Sequence, residues 1–202
     1  VFDVDSTLIN EEVVELIAAK AGVREEVKKI TNLAMAGEID FVESLRKRVS
    51  LLSGLPASVL DQVRSEITLT KGAQELISVL QSNGNHVAVV SGGFTSVITS
   101  LMRDLKIDLF KANNLEISDG RITGVLLGEI VDRKAKAEAL KDFSQRVNVE
   151  LSNTVAIGDG ANDIDMLETS GLGIAFCAKP ALQKVADVSI NERDLMQVLK
   201  VI

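Results

Sequence analysis

The chain opens with Val1-Phe2-Asp3-Val4-Asp5-Ser6-Thr7, two apolar residues that run into a pair of aspartates two positions apart. In an extended strand residues i and i+2 point the same way, so both carboxylates can be aimed into one site where the strand ends and the chain turns. Two carboxylates about 4 Å apart repel by roughly 4 kcal/mol at an effective dielectric of about 20, so the pair implies a cation, a shared proton or full exposure. Taken alone, the motif reads first as an acidic loop after an edge strand, and the rest of the chain has to supply partners.

Working outward, two more apolar runs end in chemically loaded turns. His86-Val87-Ala88-Val89-Val90 leads into Ser91-Gly92-Gly93-Phe94, and Thr154-Val155-Ala156-Ile157 leads into Gly158-Asp159-Gly160-Ala161-Asn162-Asp163. Continuous apolar runs of this length are the pattern of parallel strands covered on both faces. Residues 173–176 and 188–190 are further strand candidates, and residues 114–130 alternate around Ser118-Asp119-Gly120 as a hairpin. Helical periodicity is predicted over 72–81, 95–105, 134–147 and 193–200, with a short helix ending at Thr169.

Between residues 10 and 70 the pattern is helical throughout. A helix over 11–21 has Asn10 as its N-cap, a second runs from 24 to 36, a third starts at Asp40 with Glu43 in capping-box register, and a fourth covers 57–67. The predicted fold is therefore α/β: a Rossmann-like, doubly wound, mostly parallel sheet with a helical-bundle insertion and a small β-hairpin. The domain joints fall at 10 and 71, giving a core of residues 1–9 plus 71–202 and an inserted cap of residues 10–70.

Composition narrows the function. The chain has 202 residues, 46% hydrophobic, and a net charge of −7, so it lacks the basic surplus of a nucleic-acid binder. With no Trp and no Tyr a base-stacking platform is also unexpected. A single cysteine, Cys177, excludes an internal disulfide and fits a reducing cytoplasm, and a single histidine, His86, excludes a His-pair metal site. No apolar run reaches a membrane span, and no signal-peptide pattern is present. The chain starts within strand-like residues and without Met, so further residues upstream are expected. A monomer or homodimer is expected.

In an open parallel sheet, ligands bind outside the carboxyl ends of the strands. Asp3, Asp5, Asp159 and Asp163 would converge there, and four carboxylates call for a hard divalent cation, Mg²⁺ being the natural choice. Ser91 and its following glycines let backbone N–H groups approach an anion, so acid, Mg²⁺ and anion cradle together point to phosphoryl chemistry.

At this level Asp3-Val4-Asp5-Ser6-Thr7, Val90-Ser91-Gly92-Gly93, a lysine at the start of the 134 helix and Gly158-Asp159-Gly160-Ala161-Asn162-Asp163 resemble the four ordered motifs of the haloacid dehalogenase superfamily. The likeness extends to its phosphoserine phosphatase family through Asn10-Glu11-Glu12, Ser44-Leu45-Arg46-Lys47-Arg48-Val49 and Ala175-Phe176-Cys177-Ala178-Lys179-Pro180. The resemblance implies hydrolysis of O-phosphoserine, the last step of serine biosynthesis. Asp3 would be the nucleophile that becomes an aspartyl phosphate, and Asp5 the general acid and base. It implies Mg²⁺ on the Asp3 carboxylate, the Asp5 carbonyl and Asp159, with Asp163 supporting that shell. Ser91, Gly92, Asn162 and a lysine would bind phosphoryl oxygens. Arg133, Lys134, Lys136 and Lys141 are all near the helix start, and the family pattern aligns with Lys136 over Lys134.

For the substrate, the resemblance places Arg48 on the carboxylate, Glu12 on the ammonium, and Met35 and Phe41 as apolar walls. Read from residues alone, Arg46-Lys47-Arg48 is a charge run on a helix and Glu12 a first-turn acid. Alternatives remain: a phosphatase or phosphotransferase for another small phosphate ester, or a phosphoacceptor signalling module. His86, at the start of a buried strand, and Cys177 are expected to be structural, and Gly160 to ease a tight turn.

Overall fold

The computed structural model describes residues 1–35 and 38–202, apart from the side chain of Met35. Its organising element is the opening stretch. The Phe2 N–H donates to the Ala88 carbonyl (2.9 Å) and the Phe2 carbonyl accepts from the Val90 N–H (2.9 Å). On the other edge, the Asp3 N–H donates to Ile157 (2.9 Å) and the Ile157 N–H to Val1 (3.0 Å). Residues 1–3 thus stitch two three-stranded sheets into one. On one side lie β1 (Ala88–Phe94), β2 (Leu109–Ser118) and β3 (Arg121–Leu127), and on the other β4 (Val155–Gly158), β5 (Leu172–Phe176) and β6 (Val188–Ile190). Among these strands and the opening segment the pairings are parallel except β2 with β3, which close a hairpin through Asp119 and Gly120, both at positive φ (50° and 71°) as a type I′ turn demands.

Period-2 alternation sends neighbouring residues to different cores. Val89, Ile157 and Ile174 pack in one with Leu76 and Ile77 of α5 (Ala73–Ser82) and Ile98 and Met102 of α6 (Thr95–Asp104). Ala88, Val90, Ala156 and Ala175 pack in the other with Leu140 and Phe143 of α7 (Arg133–Arg146) and Met166 and Leu167 of α8 (Ile164–Thr169). A last short helix, α9 (Pro180–Gln183), follows β5. This two-sided burial explains why the strands read as unbroken apolar runs.

The insertion contains α1 (Val13–Ala21), α2 (Arg24–Met35), α3 (Phe41–Ser50) and α4 (Val59–Glu66), whose Ile17, Val27, Val49 and Val63 extend the first core. The expected end of α2 at Ala36 and Gly37 lies outside the described residues. Asp40 caps α3, accepting from the Glu43 N–H at 2.7 Å. No helix among the described residues is long and apolar enough to cross a membrane.

Four local expectations are corrected. Asn10 is not the N-cap of α1, because the chain stays extended to pair with the returning linker. The Asn10 N–H donates to Thr68 (3.0 Å), the Thr70 N–H to Leu8 (3.0 Å), and the Asn10 side chain to Thr68 Oγ1 and the Leu69 carbonyl (both 3.0 Å). Ser91-Gly92-Gly93 is not a plain turn after a strand: it lies inside β1, in a stretch where pairing with β2 shifts register between Val90 and Phe94. His86 is exposed and precedes β1 instead of starting the buried strand. The terminal helix is a 3₁₀ segment, Leu195–Lys200, begun by Asp194 accepting from the Met196 N–H.

Candidate active site

Asp3 ends the central segment where the strand order reverses, with β1 on one side and β4 on the other, the position where such sheets leave a crevice. After it the chain turns tightly, and Ser6 adopts a left-handed φ of 59°, a conformation that costs a non-glycine residue about 1–2 kcal/mol. Two bonds hold it there: the Ser6 N–H donates to the Glu11 carbonyl (3.2 Å) and Ser6 Oγ to Glu12 Oε1 (2.7 Å). Asp5 is brought back under the insertion, its Oδ1 accepting from the Val13 N–H at the start of α1 (2.7 Å) and its Oδ2 from Ser91 Oγ (3.2 Å).

The irregularity in β1 serves close approach. A Cβ on Gly92 would lie 2.9 Å from the Phe41 ring, and one on Gly93 would lie 2.9 Å from Asp5 Oδ2. Asn113 of β2 pins this loop, donating to the Gly92 carbonyl and accepting from the Val131 N–H, both at 2.8 Å. From the β4 end, Asp163 Oδ2 accepts from the Asp159 and Gly160 N–H groups (3.2 Å each). Lys136, fully buried on α7, donates to Asp3 Oδ1 (2.5 Å) and Asp163 Oδ1 (2.6 Å), whereas Lys134 is exposed.

Asp3, Asp159 and Asp163 can each bring one carboxylate oxygen within 4.8 Å of the others. Burial pushes Asp3 well above the carboxylate range despite the Lys136 ammonium, with Asp163 and Asp5 adding to the rise. Burial, then the Asp3 charge, does the same to Asp159. Asp5 is raised by burial against the Val13 and Ser91 hydrogen bonds. For Lys136, burial opposes the charge, but Asp163 and Asp3 outweigh it and raise its pKa. One cation is thus surrounded by more acid than it can neutralise. Asp3 Oδ2, Asp159 Oδ1 and Asn162 Oδ1 are buried without partners among the described residues.

Opposite stands the insertion. Arg48 of α3 is only 4% exposed, and its guanidinium carbon sits 5.8 Å from the Phe41 ring centroid. It shares a cavity of about 30 Å³ with Asp3, Asp5, Glu12, Phe41, Gly92 and Asn162. Burial, followed by the Asp5 carboxylate, pushes Glu12 up to about 8 against the Ser6 hydrogen bond. Of the residues expected at the site, only Met35 cannot be placed, because its side chain lies outside the described residues. Cys177 stands apart at the end of β5, half-buried, with its thiol raised by burial. Sequence reasoning did not single out Ser6 as the anchor of Glu12, Asn113 or Thr31. Asn113 is buried in β2 beside the exposed Asn114, and nothing in the sequence separates the two.

A buried aspartate pair beside an all-oxygen acidic cluster, at the reversal point of a parallel sheet, defines a phosphoryl-transfer hydrolase, and the family described as haloacid dehalogenase-like hydrolase matches residues 1–168. The chain is 50% identical over 200 residues to the phosphoserine phosphatase of Lactococcus lactis, covering 99% of this chain and 93% of that one. It is 56% identical over 191 residues to that of Streptomyces coelicolor, covering 95% of this chain but 47% of the longer relative. A solved structure described as a phospho-aspartyl intermediate analogue of phosphoserine phosphatase superposes with a TM-score of 0.97 at 49% identity, covering 100% of this chain and 96% of the other. The chain belongs to the phosphoserine phosphatase family of the haloacid dehalogenase-like hydrolases.

Proposed function

We propose that the chain hydrolyses O-phosphoserine to serine and phosphate, using Mg²⁺ and an aspartyl phosphate on Asp3. The observation that carries this reading is the facing arrangement: a buried aspartate pair and lysine on the core side, with Arg48 and Glu12 across the same cavity. Phosphoserine offers the matching groups, a phosphate, a carboxylate and an ammonium, and Arg and Glu are the side chains that pair with the last two.

The acidic cluster offers only oxygen donors, two of them buried and unpartnered, which fits a hard divalent cation. The Asp3 and Asp159 carboxylates and the Asp5 carbonyl would hold it, with Asp163 behind them. When bound, the ion supplies charge neutralisation at the phosphoryl oxygens.

An Asp3 oxygen attacks phosphorus, the bond from phosphorus to the serine oxygen breaks, and Asp5 gives that oxygen its proton. Asp5 then takes a proton from the water that attacks the phosphoryl group, releasing phosphate and restoring the Asp3 carboxylate. Ser91 Oγ, the Gly92 N–H, the Asn162 side chain and Lys136 bind the phosphoryl oxygens. Lys136 has three donors, of which two are engaged with carboxylates, leaving one for phosphate. Residues 10–70 act as a cap over the core. A cavity of about 30 Å³ holds roughly two waters, so the cap moves aside to admit substrate.

The test is phosphate release from O-phosphoserine, phosphothreonine and an aryl phosphate, before and after exhaustive chelation. O-phosphoserine is expected to exceed the aryl phosphate in kcat/KM by roughly 100-fold, the scale of one or two lost charged hydrogen bonds. Chelation should abolish turnover and added Mg²⁺ restore it. Equal rates on all three esters would refute the substrate, and activity that survives chelation would refute the metal.

Glu12 adds a pH signature. With a pKa of about 8 it is mostly protonated at neutral pH, and it must lose that proton to pair with an ammonium. Its ionised fraction rises about fivefold from pH 7 to pH 8. The ratio of KM for O-phosphoserine to KM for an aryl phosphate should fall by about that factor, the ester's own ionisation cancelling. Glu12→Gln should flatten the profile, and a profile unchanged in Glu12→Gln would remove Glu12 from ammonium binding. The same shift lowers stability as pH rises, because the folded state holds this proton between the ordinary value of 4.5 and about 8 while the unfolded chain does not.

A further inference from the structure

We propose that Thr31, on α2, is a positioning residue that sets the Arg48 guanidinium for a substrate carboxylate and thereby tunes ester selectivity. This rests on the assignment of Arg48 above. Arg48 ends a flexible stem, and a buried guanidinium can only serve as a fork if its plane is fixed before substrate arrives. Two of its contacts come from its own helix: Nε donates to the Ser44 carbonyl at a long 3.3 Å, and the Phe41 ring lies under the guanidinium carbon. The third comes from a different helix. Nη1 donates to Thr31 Oγ1 at 3.1 Å, while Nη2 is buried with no partner among the described residues.

Thr31 is suited to this in three ways. It is 2% exposed, so water does not compete for its oxygen. Its one hydroxyl proton is committed to the Val27 carbonyl one turn back, at 3.0 Å, so only lone pairs remain to face Arg48 and the hydroxyl is an obligate acceptor. Its branched Cβ restricts χ1, which holds that acceptor in place. With Nε and one Nη1 proton engaged, Nη2 is the guanidinium nitrogen with both protons left for a ligand in the cavity that Arg48 lines.

Thr31→Val keeps the branched shape and removes the acceptor. Its KM for O-phosphoserine should rise roughly tenfold with kcat within about twofold, while kcat/KM for p-nitrophenyl phosphate, which has no carboxylate, stays at the parent value. The aryl ester also reports that the variant is folded. Thr31→Ser, which keeps the hydroxyl but not the branch, should bring KM back to within about twofold of the parent. A Thr31→Val enzyme with parental KM for O-phosphoserine, or with equal losses on both esters, overturns the proposal. Arg48→Ala in parallel separates the two failures. Selective loss on O-phosphoserine in Arg48→Ala with an unaffected Thr31→Val overturns the positioning role alone. Equal loss on both esters in Arg48→Ala overturns the carboxylate assignment and the Thr31 role with it.

Discussion

Asp3→Asn is expected to reduce steady-state phosphate release from O-phosphoserine by about four orders of magnitude or more, the scale of losing a covalent nucleophile. The substitution is nearly isosteric, and its amide oxygen can still accept from Lys136, so the site should keep its shape. It also relieves a crowded cluster: Asp3 is held far above its ordinary pKa by burial and by Asp163 and Asp5. The variant should therefore melt no lower than the parent. Acid quenching during turnover of ³²P-labelled substrate should trap label on the parent protein and none on Asp3→Asn. Retention of a tenth of the parental rate in a verified Asp3→Asn preparation would remove Asp3 from the reaction.

Asp5→Asn should lower kcat for O-phosphoserine by about 10²- to 10⁴-fold, the range for loss of a general acid and base. The two half-reactions should suffer differently, and the leaving group exposes this. An alkoxide such as that of serine needs the Asp5 proton to depart, whereas a nitrophenolate departs without it. With p-nitrophenyl phosphate, Asp5→Asn should still form the aspartyl phosphate but hydrolyse it slowly. The expected record is a burst of about one nitrophenolate per enzyme followed by a slow phase. Asp3→Asn should show no burst. If Asp5→Asn turns over both esters at parental rates, Asp5 is only an anchor for Val13 and Ser91, which its two hydrogen bonds would equally serve.

The fold was largely legible because its decisive signals are local in sequence. Unbroken apolar runs such as Val87 to Val90 report burial on both faces, and Asp119-Gly120 reports the hairpin turn. Two of the misreadings share one cause, which is pairing with distant chain. Asn10 looks like a cap until Thr68 and Leu69 are placed beside it, and Ser91-Gly92-Gly93 looks like a turn until β2 shows that the strand continues past it. His86 could not be told from a strand residue because the apolar run begins immediately after it, yet the sheet starts two residues later.

At the candidate site the charged residues were conspicuous and their supports were not. Lys136 stood out from Lys134 by motif alignment, and the structure buries it between Asp3 and Asp163 while leaving Lys134 in solvent. Asp163 was expected behind a metal, and here it also grips that lysine and two backbone N–H groups. Thr31 offers nothing in its own neighbourhood to mark it, because its partner Arg48 lies on another helix.

The stitching of residues 1–3 between β1 and β4 bears on how the protein is made. Asp3 is among the first residues of this stretch to leave a ribosome, yet its segment can pair only once residues 88–90 and residue 157 exist. Such long-range closures form late and set the pace of folding. No portion of this stretch that stops short of residue 157 can hold Asp3 between its two neighbours, so reactivity at Asp3 should switch on abruptly once that residue is in place. A chain that stops before residue 157 carries the aspartate but not the crevice around it.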